Sequence, residues 1–87
     1  MVQGTTKSGF AFEIESDILD DMELMDQVVE CDTNPAALSR VIKMVLGEGQ
    51  RKALYDHLRD ERGKVPVKAV GEAITDIFSA IGQNGKN

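Results

Sequence analysis

Residues 34–62 constrain the fold more than any other part of the chain, because they spell two amphipathic helical segments with a corner between them. Asn34 offers a capping side-chain oxygen, and Pro35 suits the first helical position, where the donor it lacks would be an orphan in any residue. Leu38, Val41, Ile42 and Val45 fall at i, i+3, i+4 and i+7 and so line one helical face. Gly47 and Gly49 then supply the permissive backbone of a helix end, and Leu54 and Leu58 make a narrower stripe beyond the corner. A helix–corner–helix unit of this kind cannot bury its own apolar face. The remaining segments must cover it.

The clearest such cover is a last helix over about residues 66–81, where Val67, Val70, Ile74, Ile77, Phe78 and Ile81 repeat at helical spacing. It follows the turn Gly63-Lys64-Val65-Pro66, in which the proline pushes Val65 toward extended geometry. Gly71 sits in the middle of this helix and is less favourable there than alanine by about 1 kcal/mol. Another backbone is therefore expected to approach closely at that point. Upstream, Ser16 and Asp17 are capping residue types, and a first helix is expected over about residues 17–30, with a separate turn at its start as an option. Ile18, Met22, Met25 and Val29 lie along one line of it and Leu24 and Val28 along a second, which makes its apolar surface wide.

Before that helix, Phe10, Phe12 and Ile14 alternate with smaller or charged residues, the period of a half-buried strand. No second strand is evident in the pattern, yet a lone strand leaves backbone donors and acceptors unpaired. Three arrangements would satisfy it: a hairpin with the N-terminal tail through Lys7-Ser8-Gly9, pairing with another copy, or an extended path across the helices. The expected architecture is mainly α, with about four short helices packed around one core and a short N-terminal β-strand or hairpin. Residues 1–8 are expected to be a flexible end, residues 9–81 a single helical domain, and residues 82–87 a flexible polar tail.

A chain of 87 residues is near the size at which one core only just suffices, so association between copies is a further expectation. Its 41 % apolar and 29 % charged residues are those of a globular chain, and no apolar run approaches the length of a membrane span. The N-terminal residues lack a signal-peptide layout and the single cysteine cannot form an internal disulfide, which fits a reducing cytoplasm. The net charge of −5 is divided unevenly. Residues 1–33 hold nine acids against Lys7, a balance of −8, whereas the rest holds nine bases against six acids, a balance of +3. The two parts should attract, with the acids partly answered by the basic helices, or available to another copy head to tail or to a basic partner. Nucleic acid is disfavoured, since the mild basic surplus shows neither clustering nor interleaved aromatic residues.

Catalytic chemistry is hard to assemble from these residues. His57 is the only histidine, and Asp60 one turn later is spaced to share a hydrogen bond with it, but no serine or cysteine lies near enough in sequence to complete a triad. There is no pair of histidines or cysteines at zinc spacing, and the acidic run from residue 17 to 32 lacks the order of a calcium loop. Gly47-Glu48-Gly49 is too short for a phosphate cradle. Cys31 reads as a small apolar filler. Ser39, inside Leu38-Ser39-Arg40, does not stand at the Asp-Ser-Leu helix start of an acyl carrier protein. The expectation is a non-enzyme without cofactor or metal.

One resemblance extends across residues 7–81. The succession Lys7-Ser8-Gly9-Phe10-Ala11-Phe12-Glu13-Ile14, Leu19-Asp20-Asp21-Met22-Glu23-Leu24, Asn34-Pro35-Ala36-Ala37-Leu38, Leu46-Gly47-Glu48, His57 through Pro66, and Glu72-Ala73-Ile74-Thr75-Asp76-Ile77-Phe78 resembles the small tail assembly chaperones of long-tailed phages and Gram-positive prophages. The resemblance rests on order and spacing rather than on any chemical signature. It implies a non-catalytic protein in the cytoplasm of the host bacterial cell that binds the tape-measure protein, or another phage tail protein, and keeps it soluble during tail assembly. The surface expected to do so combines the methionine-bearing first helix and the neighbouring strand: Phe10, Phe12, Met22, Leu24, Met25 and Val28. The alternative from another class is a small acidic adaptor or regulatory protein that binds a host or phage protein.

Overall fold

The alternation of Phe10, Phe12 and Ile14 does produce a strand, and its partner lies within the chain. In the computed structural model, which describes residues 1–84, β1 (Val2–Thr5) pairs antiparallel with β2 (Ala11–Ile14), and α1 (Met22–Glu30), α2 (Ala36–Leu58) and α3 (Val67–Asn84) follow. The register sets Val2 opposite Ile14, Gln3 opposite Glu13, Gly4 opposite Phe12 and Thr5 opposite Ala11. Because side chains alternate across a strand, Val2, Phe12 and Ile14 share the inner face while Gln3, Thr5, Ala11 and Glu13 face solvent. Residues 1–8 are thus a structural strand and turn, not a flexible end. The single apolar residue Val2 and the glycine beside it had left that strand without a visible pattern. Gly4 is required by packing: a Cβ there would lie 2.8 Å from Phe12 Cζ.

The turn between the strands is built on Thr6, a buried polar residue 4 % exposed. Its N–H donates to Phe10 O at 2.9 Å and its Oγ1 accepts from Phe10 N–H at 3.1 Å, so burial leaves no polar group orphaned. Gln50 of α2 ties the other side of the hairpin down. Its Oε1 accepts from Glu13 N–H at 2.8 Å, and its Nε2 donates to Glu13 O at 2.7 Å and to Leu46 O at 3.0 Å. The carboxamide thereby stands in for a third strand at the outer edge of β2.

The first helix starts later than the capping types at Ser16 and Asp17 suggested. Asp21 is extended (φ −149°, ψ 108°) and its Oδ1 accepts from Glu23 N–H at 2.9 Å and Leu24 N–H at 3.4 Å, so α1 begins at Met22 and Ile18 remains in a preceding turn. Asn34 accepts from Ala36 N–H at 3.1 Å while its own N–H donates to Glu30 O at 2.9 Å, linking the end of α1 to the start of α2. The corner at Gly47 is present, with φ 76° and ψ 172°, a conformation costly for any residue with a Cβ. It kinks one helix without an intervening loop, so there are three helices rather than four.

β2 and α1 pack on α2, α3 packs on α2 and on β1, and one core joins all five elements. Its most deeply buried large residues are Leu24, Val41, Ile42, Leu54 and Ile77. The stripe expected on the last helix is inward at Val70, Ile74, Ile77 and Ile81, whereas Val67 is exposed and Phe78 half-buried. Gly82 and Asn84, expected to begin a polar tail, lie within the span of α3, and residues 85–87 of that tail lie outside the described residues. No helix among the described residues is long and apolar enough to cross a membrane.

Candidate protein-binding surface

The six residues expected to form a binding surface divide sharply by burial. Phe10 (7 % exposed), Phe12 (4 %) and Leu24 (1 %) are core, and offer nothing to a partner in this fold. Met25 and Val28 are half-buried against the core, and only Met22, at 72 %, is open. The physical reason lies in the start of α1: a nine-residue helix has one inward stripe, and here that stripe is Leu24, Val28 and Cys31. The line through Met22 and Val29, seven residues apart, turns outward instead, and Val29 is as exposed as Met22 at 71 %.

Around this apolar line the surface is acidic. Among the described residues the ion pairs are Lys7–Asp76, Arg51–Glu48 and Arg59–Asp56. None of them engages the nine acids of residues 1–33. Among the described residues the expected attraction between the acidic and basic parts therefore takes no ion-paired form, and α1 carries Glu23, Asp26 and Glu30 without a described base ion-paired to them. At the kink, Arg51 forks onto the Glu48 carboxylate at 2.7–3.1 Å and lies 5.4 Å from the Tyr55 ring centroid. The Arg51 hydrogen bonds hold the Glu48 carboxyl below its ordinary range.

The space between α1 and α3 is a hollow of mainly apolar lining. Both helices rest on α2 and leave between them a groove of about 340 Å³, lined by Val28, Cys31 and Asp32, by Pro35, Leu38 and Val41, and by Val67, Gly71, Ile74, Thr75 and Phe78. A smaller hollow of about 220 Å³ continues it past Pro35, Leu38 and Val67 to Tyr55 and Val65. Burial raises the Cys31 thiol above its ordinary value, and the neighbouring carboxylates of Asp32 and Glu30 add to the effect, which disfavours the reactive thiolate. Sequence reasoning did not find this groove, because it is assembled from three segments. Its one local signal was Gly71.

His57 and Asp60 are not brought together as a catalytic pair. His57 Nε2 lies 2.9 Å from Ser8 O, and since a carbonyl only accepts, the ring donates; the ring also stands 5.9 Å from that of Phe10. Asp60 Oδ1 instead accepts from Arg62 N–H at 2.9 Å and Lys64 N–H at 3.0 Å, ordering the turn between α2 and α3. Among the described residues no group of three or more His, Cys, Asp or Glu side chains is placed to hold a metal ion. In comparisons with known proteins, the chain matches no family model, no curated protein and no solved structure.

Proposed function

We propose that the chain is a non-catalytic phage tail assembly chaperone, which binds apolar helical segments of a tape-measure protein in the host bacterial cytoplasm and keeps them soluble until the tail tube forms around them. The observation that carries this reading is the pairing of unfilled apolar surface with unpaired acid: the groove between α1 and α3 and the open Met22 and Val29, beside carboxylates that no base among the described residues answers. Reversible masking needs apolar area that stays dispersed in water, and the acids supply mutual repulsion between copies. The engagement of His57 and Asp60 with backbone groups supports a non-catalytic role. The hairpin satisfies the strand that would have drawn copies together, so self-association now rests on the small size of the chain and on attraction between its acidic and basic parts.

Co-expression with tape-measure segments tests the proposal. The wild type should hold at least one segment in the soluble fraction, and the Met22→Glu/Met25→Glu double variant, checked for folding, should weaken that rescue, with the groove retaining the remainder. Failure of the wild type with every segment refutes the chaperone reading. The same unpaired acids favour a second reading, a small acidic adaptor for a basic host or phage protein. Retained binding to such a protein by the double variant, with loss on charge reversal at the exposed Asp20 and Asp26, would select it.

A further inference from the structure

Gly71 has no reason within this chain to be glycine. It lies in α3 without a positive φ, and a Cβ built on it would meet nothing within 4 Å. The expectation that another backbone approaches it closely therefore fails inside the chain, while the unfavourable placement of glycine in a helix remains. The open space above it is the groove between α1 and α3. We infer that this groove is the seat of a single amphipathic helix from a partner protein, with its apolar stripe against Leu38 and Phe78, its backbone crossing close over Gly71, and basic residues on its flank facing Asp32.

Three observations select that occupant. The groove floor runs along α3 from Val67 to Phe78, a helical rise of roughly 17 Å, which matches about three turns of a docked helix. A small residue midway along an apolar floor lets two helix backbones approach, as the packing of ridges over small side chains requires. Asp32 is the charged residue in the lining, and neither it nor the other acids of residues 1–33 is ion-paired among the described residues, so a basic flank complements the groove and an acidic one is repelled. The inference rests on the reading of the chain as a binder of apolar helices and adds to it the surface, the charge and the geometry of the bound segment.

The test uses synthetic peptides of about 18 residues, long enough to form helix on binding, with leucine at i, i+3, i+4 and i+7 and either lysine or glutamate elsewhere. Backbone amide shifts and the alkylation rate of Cys31, which lines the groove, report where and how tightly they bind. The leucine–lysine peptide should shift Val67, Gly71 and Thr75 and slow alkylation, and should bind at least about tenfold more tightly than the leucine–glutamate peptide. Gly71→Leu should weaken binding at least about tenfold while melting at or above the wild-type temperature, because its Cβ would meet nothing within 4 Å and the rest of the side chain would enter the groove. Asp32→Lys should reduce or reverse the preference for lysine over glutamate. Shifts confined to the Met22–Val29 line, unaltered binding by Gly71→Leu, or a lowered melting temperature for that variant would each overturn the inference. Because the peptides are generic, binding in the groove with no rescue of any tape-measure segment would sink the chaperone reading and leave the groove assignment standing.

Discussion

Gln50→Ala isolates the clamp that holds the hairpin on the helices. The wild-type carboxamide makes two hydrogen bonds to the one residue Glu13, at 2.8 and 2.7 Å, and a third to Leu46 O at 3.0 Å. Truncation removes the two links between β2 and α2 and returns an edge N–H and C=O to water. Each such bond contributes about 0.5–1.5 kcal/mol net, and the site is partly solvated, so a loss of about 1–2 kcal/mol is expected. In a domain of this size that lowers the melting temperature by roughly 5–10 °C. Gln50→Glu should be worse than alanine near neutral pH, since a carboxylate cannot donate and would face the carbonyls of Glu13 and Leu46. Those carbonyls favour the protonated carboxyl and raise its folded-state pKa, so the deficit should shrink as pH falls through that raised value. Urea melts give the free energies, and amide exchange at Glu13 reports the clamp itself. A Gln50→Ala protein within about 0.3 kcal/mol of wild type, with Glu13 exchange unchanged, would refute the reasoning.

Gly4→Ala should destabilise by about 1–3 kcal/mol in a thermal melt, because its Cβ would stand 2.8 Å from Phe12 Cζ and the buried ring would have to move. Ile77→Ala, at a fully buried position, should cost about 2–5 kcal/mol, whereas Met22→Glu, at a site 72 % exposed, should stay within about 0.5 kcal/mol; the contrast is read from paired urea titrations. Glu48 titrates below its ordinary value in the folded state, so its link to Arg51 stabilises above the ordinary carboxylate range and is lost as pH falls through the lowered value. Glu48→Gln should therefore melt below wild type at neutral pH and converge with it in acid.

Local signals carried much of the architecture. Asn34 and Pro35 marked the start of α2, Gly47 marked its kink, and the spacing of Val70, Ile74, Ile77 and Ile81 marked the inner face of α3, because each depends only on residues within a few turns. The period of Phe10, Phe12 and Ile14 likewise revealed β2, but it also suggested a surface, and burial then claimed those rings. Nothing local shows what covers an apolar stripe. β1 stayed one option among three since Val2-Gln3-Gly4-Thr5 has one apolar residue and owes its strand geometry to pairing. The late start of α1 depended on which of several carboxylates took the capping bonds, and Asp21 took them. Gly71 drew attention for a close backbone approach that the described residues do not make, and the open space over it arises from the relative placement of α1 and α3.

The hairpin also ties the order of synthesis to the order of folding. Lys7 N–H donates to Asp76 Oδ2 at 2.9 Å across 69 residues, and β1 rests on α3. On the ribosome β1 emerges first and its cover last, so Val2 and the inner face of the hairpin stay without part of their burial until α3 has left the exit tunnel. β2 can settle on α2 before then, held by Gln50, but the native core closes only when the final helix arrives. A pause in translation ahead of α3 would therefore leave Val2 and the β1 side of the hairpin's inner face open to self-association.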